Sequence, residues 1–68
     1  MGTELRIYPD GPQADKAIVT VAYMLVAGDE IDVHAETSPP WIRVVAADAM
    51  RVVAAMREMG VRVEVQRS

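Results

Sequence analysis

The only histidine, His34, is the side chain in this sequence that titrates nearest to neutral pH. Asp32 and Glu36 lie two residues to either side, so on a strand the three side chains would share one face. Such a set could serve as a general base or a pH sensor. A catalytic histidine normally acts on a nucleophile or in a substrate pocket nearby, and the sequence indicates neither. We therefore predict a surface histidine between two acids.

A second group that could do chemistry is a run of acids that could bind a cation, namely Asp29, Glu30, Asp32 and Glu36. Calcium loops place oxygen ligands at alternating positions around a glycine turn and end at a distal glutamate. This segment has neither that spacing nor that length. The absence of cysteine and the single histidine exclude thiolate and histidine-based zinc sites. The sequence predicts a solvated acidic strand edge, and no metal or other cofactor.

The remaining candidates are hydroxyl groups and one glycine before a helix. Asp10-Gly-Pro12 precedes a predicted helix, whose first N–H groups favour anions. Phosphate loops, however, use several glycines with a lysine or hydroxyl in register. No activated nucleophile is expected either, because no basic partner accompanies the hydroxyl groups in sequence; these belong to Thr3, Thr20, Thr37 and Ser38. We predict that the protein is not an enzyme.

The charge balance argues against nucleic acid as a partner. Ten acids and seven bases give a net charge of −3, whereas binding to phosphate depends on clustered lysine and arginine. Four arginines could still form a basic surface on the last helix and strand: Arg43, Arg51, Arg57 and Arg62. Nucleic-acid binding is therefore the weakest of three hypotheses.

The length of the chain limits its stability. Sixty-eight residues make one domain, residues 1–68, and a domain of this size buries only about 60% of the surface that its unfolded chain exposes. Disulfides and metals are excluded as extra support, which leaves self-association. The longest apolar run, residues 17–27, is much shorter than the ~20 residues of a membrane span. With no signal-peptide pattern, we expect a cytoplasmic protein without membrane contact.

Three segments alternate between apolar and polar residues and are predicted to be strands: residues 3–8, 31–35 and 61–65. Residues 13–27 are ambiguous. Pro12 and Gly28 are typical helix boundaries, but the interior is rich in β-branched residues and would also suit a strand. We favour a helix, with Ala14, Ala17, Ile18, Val21, Ala22 and Leu25 facing the core.

The longest helical periodicity covers Trp41 to Gly60 and organises the predicted fold. Pro39-Pro40 precede it, Gly60 would end it, and Thr37 or Ser38 could cap it. One buried stripe is expected: Ile42, Val45, Ala49, Val52, Val53, Met56 and Met59. The predicted order is β-α-β-α-β. We expect a small two-layer α/β sandwich with a mixed sheet and both helices on one face.

The order of elements and the positions of proline and glycine between them resemble the TusA/SirA-like sulfur-carrier family. The stretch Gly11-Pro12-Gln13-Ala14 is similar in place to that family's Cys-Pro-x-Pro motif at the start of the first helix. The resemblance implies a β-α-β-α-β-β sandwich. The family's persulfide-carrying cysteine would fall on Gly11, and the chain has no cysteine. No catalytic residue carries over, and the resemblance implies at most a degenerate carrier that binds a partner enzyme or a small anion at this helix start.

The leading hypothesis is a non-enzymatic protein-interaction or regulatory module that forms a homodimer. A bacterial or phage-encoded adaptor that binds another protein would fit. The predicted helices carry more apolar surface than a monomer needs. Trp41 either plugs the end of the core or anchors an interface, where tryptophan is enriched. The candidate interface residues are Val19, Tyr23, Val26, Trp41, Val44 and Met50.

Overall fold

The computed structural model describes residues 2–66. Four strands and two helices follow one another along the chain, and a short 3₁₀ turn at Gly11–Gln13 leads into the first helix. In chain order the elements are β1 (Thr3–Tyr8), α1 (Ala14–Met24), β2 (Glu30–His34), β3 (Trp41–Ala46), α2 (Ala49–Glu58) and β4 (Arg62–Val65). The predicted small α/β fold is confirmed, and the ambiguous segment after Pro12 is a helix.

The sheet differs from the prediction in its number of strands and in their directions. Its order is β2-β3-β1-β4, and every neighbouring pair is antiparallel, whereas we predicted three strands in a mixed sheet. The two β-α-β units are present, but each has another strand inserted between its parallel members. This is the split β-α-β arrangement. Right-handed crossovers are expected of both units, and the insertion explains why no parallel pair forms.

The predicted helix from Trp41 to Gly60 is wrong in its first half, where residues 41–46 form β3. Burial alternates along β3, so that Ile42, Val44 and Ala46 face the core. Val45, which we predicted to lie on a buried helical stripe, faces the opposite side of the sheet. Four of these six residues are β-branched or aromatic, which favours a strand once partners are available on both sides.

Both helices pack on one face of the sheet around a single hydrophobic core. Helix α2 lies nearest β4 and β1 and packs beside α1, so α1 lies toward the half of the sheet that contains β3 and β2. The core consists of aliphatic side chains and methionine, and the chain contains no phenylalanine. Its fully buried larger members are Leu5, Ile7, Val21, Ile42, Val44, Val52, Val53 and Met56.

Helix α2 ends as its sequence predicts. Gly60 has a φ of +72°, in the left-handed region that favours glycine. The N–H of Gly60 donates to the carbonyl of Arg57 at 3.1 Å, and the N–H of Val61 donates to the carbonyl of Met56 at 2.9 Å. These two bonds form a Schellman motif, which satisfies carbonyl groups that the end of a helix would otherwise leave free. The chain turns at once into β4.

The edge strand β2 is covered less completely than the prediction assumed. Ile31 and Val33 lie on the helix side of the sheet, opposite the buried Val44 and Ile42, as the alternation predicts. They are nevertheless 36% and 55% exposed. Ala35, predicted to continue the strand, lies in the turn that follows it. Helix α1 therefore leaves apolar surface open along this edge of the sheet.

Candidate interaction surface

The structure places the six predicted interface residues in three different environments. Val19, Tyr23 and Val26 are exposed on α1 and the loop that follows it, and Met50 is exposed on the first turn of α2. Val44 is completely buried in β3, so its assignment to an interface is wrong. That assignment assumed a helix, in which Val44 would have flanked the buried stripe. Trp41, the sixth residue, is half-buried on the face of the sheet away from the helices.

The exposed apolar residues concentrate in one stretch of the chain. Among residues 2–66, five of the seven large apolar side chains that are exposed belong to residues 19–33, that is, to α1, β2 and the loop between them. They are Val19, Tyr23, Val26, Ile31 and Val33; Tyr23 is 86% exposed. We call these five residues the α1–β2 surface. The other two, Met50 and Val65, belong to α2 and β4. Sequence reasoning found the helical members and missed the two on the edge strand.

The loop before β2 is held by an acid that sequence reasoning assigned only to a possible cation site. Asp29 Oδ2 accepts a hydrogen bond from the N–H of Val26 at 3.0 Å, and Oδ1 accepts one from the N–H of Ala47 at 3.1 Å. One carboxylate thus fixes the end of α1 to the turn after β3. This contact sets the position of Val26 relative to the edge strand.

The face of the sheet away from the helices carries a stacked aromatic group. The His34 and Trp41 rings lie 4.1 Å apart between centroids and within 10° of parallel. Arg6, on the strand to the other side of β3, places its guanidinium carbon 4.8 Å from the centroid of the Trp41 ring. Trp41 therefore neither plugs the end of the core nor stands free: it is held between a cation and an imidazole.

A second stack lies at the other side of this face, where Arg62 sits 4.5 Å from the centroid of the Tyr8 ring. Glu64 accepts hydrogen bonds from Arg62 at 2.7 Å and from the Tyr8 hydroxyl at 3.1 Å. The bond from Arg62, and after it the bond from Tyr8, lowers the pKa of Glu64 below its usual value. The same pairing raises the pKa of Arg62.

Three other acids on this face surround Arg43, at the centre of the sheet. Its guanidinium lies 3.1 Å from Asp32, 3.2 Å from Glu4 and 3.4 Å from Glu30. The hydrogen bond to Glu30 is the main cause that raises the pKa of Arg43. Two of the acids that could have formed a cation site are therefore paired with arginine. Among residues 2–66, no three His, Cys, Asp or Glu side chains lie close enough to hold a metal ion.

The four arginines of the nucleic-acid hypothesis do not form one surface. Arg43 and Arg62 lie on the face of the sheet away from the helices and are paired with acids. Arg51 and Arg57 are exposed on α2, which covers the opposite face. The arrangement offers no continuous basic track for a phosphate backbone.

The two loops that sequence reasoning singled out have structural roles. Thr37 donates its hydroxyl to the carbonyl of Pro39 at 2.8 Å or of His34 at 3.0 Å; it closes the turn between β2 and β3 and caps no helix. Gly11 begins the exposed 3₁₀ turn with a φ of +70°. That turn leads directly into α1, and anion binding at this helix start stays a prediction.

Comparison with family models, curated proteins and solved structures finds no match for this chain. The resemblance to the sulfur-carrier family stays a prediction, which these comparisons neither support nor contradict. Within residues 2–66, no helix has the length and the apolar character that crossing a membrane requires.

Proposed function

We propose that this protein is a non-enzymatic interaction module that forms a homodimer through the α1–β2 surface. The observation that carries the proposal is the concentration of five exposed apolar side chains on two consecutive elements and their loop. Singly exposed apolar residues are ordinary, whereas several on neighbouring elements indicate a candidate surface for a partner. The adaptor role and the cytoplasmic location expected from the sequence stay predictions beside it.

The engagement of the polar side chains supports a role without catalysis. His34 is stacked on Trp41, and the acids beside it on the sheet bind Arg43. A general base needs free access to the proton that it removes. The groups most capable of chemistry thus contribute to one network of cross-strand contacts.

The size of the molecule supports a dimer. The accessible surface of the chain is 4629 Å², and a standard interface buries ~800 Å² of each partner, about a sixth of that value. At ~25 cal/mol per Å² of apolar surface, burial of the α1–β2 surface would stabilise a fold whose own core is small.

The proposal is tested by light scattering on a sizing column over a concentration series. We expect twice the chain mass of 7.4 kDa, with dissociation only at low concentration. A wild-type protein that stays monomeric into the high micromolar range would sink the proposal.

Two matched variants locate the interface. Val33 and Val65 lie on the helix side of opposite edge strands, 55% and 41% exposed. Covering the exposed part of Val33 should stabilise the dimer by ~1 kcal/mol in each copy. Because the dimer contains two copies, Val33→Lys should raise its dissociation constant by roughly 30-fold. Val65→Lys adds the same charge at the other edge and should leave the dimer unchanged. Equal effects of the two variants would contradict the assignment to the α1–β2 surface.

A further inference from the structure

The free edge of β2 can be assigned residue by residue from the hydrogen bonds of the sheet. The N–H of Gln66 donates to the carbonyl of Glu4 at 2.9 Å, so the backbone of Glu4 points toward β4. Backbone direction alternates along an antiparallel strand. Leu5 therefore points toward β3 and bonds with Val44, its partner in register.

The same alternation continues into β2. Because the backbone groups of Val44 are used by β1, its neighbour Ile31 in β2 directs its own N–H and C=O away from β3. Val33, two residues further on, does the same. The two exposed apolar residues of the edge strand are thus also the two whose backbone groups are available to another strand.

We propose that β2 pairs antiparallel with β2 of a second copy, centred on Asp32, and extends the sheet to eight strands. This inference rests on the proposed self-association and specifies its geometry. Strand Glu30–His34 overlaps its counterpart along its full length in this register. Ile31 lies opposite Val33 of the second copy, and Val33 opposite Ile31 of the second copy. Each of these two pairs exchanges two backbone hydrogen bonds.

The charges on the other face of the strand fit this register. Glu30 lies opposite His34 of the second copy, and the pair occurs twice, which brings each carboxylate to an imidazole. The two Asp32 side chains meet at the centre, where like charges repel. Each of them already accepts a hydrogen bond from Arg43 of its own chain at 3.1 Å, which offsets part of the repulsion.

The helices leave room for the same arrangement. Strands lie ~4.8 Å apart, so a layer in which each helix covers two strands repeats every ~10 Å. Helix α1 leaves Ile31 and Val33 36% and 55% exposed, so the two copies of α1 would stand further apart than this spacing, with the apolar side chains of both β2 strands between them. With a right-handed crossover from β1 to β2, the flank of α1 that faces this edge carries Ile18 and the small exposed Ala22, while Val19 and Tyr23, opposite the buried Ala17 and Val21, point away from the sheet.

Cysteine cross-linking tests the register, because the natural chain has no cysteine. Directly opposed residues of an antiparallel pair have Cα atoms ~4.5–5.5 Å apart, within the range that a disulfide needs. Asp32→Cys should therefore give a disulfide-linked dimer under mild copper-catalysed air oxidation. The matched control is Glu30→Cys on the same face. Its two copies would lie four residues apart in register, ~13 Å, and should remain largely unlinked.

Light scattering of the reduced variants separates the two proposals. Cross-linking of Asp32→Cys alone, in a protein that is dimeric when reduced, supports both. A reduced dimer in which Asp32→Cys does not link, or in which Val33→Cys links in its place, overturns the β2 pairing or its register and leaves self-association intact. If the reduced variant and the wild type are both monomeric, both proposals are overturned, and the free edge of β2 would then be a site for an extended strand of another protein. Circular dichroism checks that each variant is folded.

Discussion

Two neighbouring valines, Val44 and Val45, give the sharpest test of the fold. In β3 the side chain of Val44 is completely buried, whereas Val45 lies half-exposed on the other face of the sheet. A helix over the same residues would place Val45 on the buried stripe and Val44 beside it. Replacing each valine by alanine removes the same atoms, so the difference between the two variants reports the burial of each position.

The magnitudes follow from the atoms removed. Val44→Ala deletes two buried methyl groups, worth ~0.8 kcal/mol each, and leaves a cavity, so the free energy of unfolding should fall by about 2–3 kcal/mol. Val45→Ala removes partly solvated groups and some strand propensity, and should cost less than ~1 kcal/mol. In a domain of this size, the larger loss corresponds to a fall in Tm of about 10–20 °C.

The assay is urea unfolding followed by circular dichroism, with both variants and the wild type at the same protein concentration. Equal concentrations are needed because a dimer adds stability that depends on concentration. An unchanged slope with denaturant shows that the unfolding reaction is the same. Equal losses for the two variants, or a larger loss for Val45→Ala, would refute the strand and its register.

Two further predictions concern single contacts. Gly60→Ala forces a side chain into the left-handed region at a φ of +72° and should lower the free energy of unfolding by about 1 kcal/mol, as urea unfolding would show; no loss would mean that the helix ends differently. The bonds from Arg62 and Tyr8 lower the pKa of Glu64 in the folded state. The contribution of Glu64 to the free energy of unfolding is therefore complete above the pKa that this residue has in the unfolded chain, and it is lost as the pH falls through its pKa in the folded chain. Unfolding at pH 7 and at about pH 3 should therefore show a smaller acid-induced loss in Glu64→Gln than in the wild type, and an equal loss would show that the pairing does not stabilise the fold.

The strands and helices could be predicted wherever one periodicity dominated. Residues 3–8 alternate without ambiguity, and α1 has proline and glycine near its ends. Residues 41–46 carry apolar side chains at both strand and helix spacing, because Ile42 and Val45 match one pattern while Ile42 and Val44 match the other. Local sequence cannot decide between them. The decision comes from β1 and β2, which pair with β3 on both sides.

The polar face of the sheet could not be predicted, for a related reason. The sequence indicates that Arg6 and His34 lie on outward positions of their own segments and leaves the direction of Trp41 open, but the stack depends on which strands are neighbours and in which register. The split arrangement brings β1 and β2 to opposite sides of β3. Exposed helical residues, in contrast, follow from the periodicity of a single segment, so Val19 and Tyr23 were found.

The stacks on the Trp41 and Tyr8 rings also affect which surface of the protein a partner would cover with the larger gain in binding free energy. A group that approached the Trp41 or Tyr8 ring on this face would have to displace a guanidinium or an imidazole that already lies against it, at a cost of ~0.5–1 kcal/mol for each exposed cation–π contact. Ile31 and Val33 impose no such cost, because covering them removes apolar area from water and uses backbone groups directed away from β3. The aromatic residues of the sheet are larger, but their contacts are already made within the chain. The smaller aliphatic residues of the β2 edge are therefore the ones that the proposed dimer would cover.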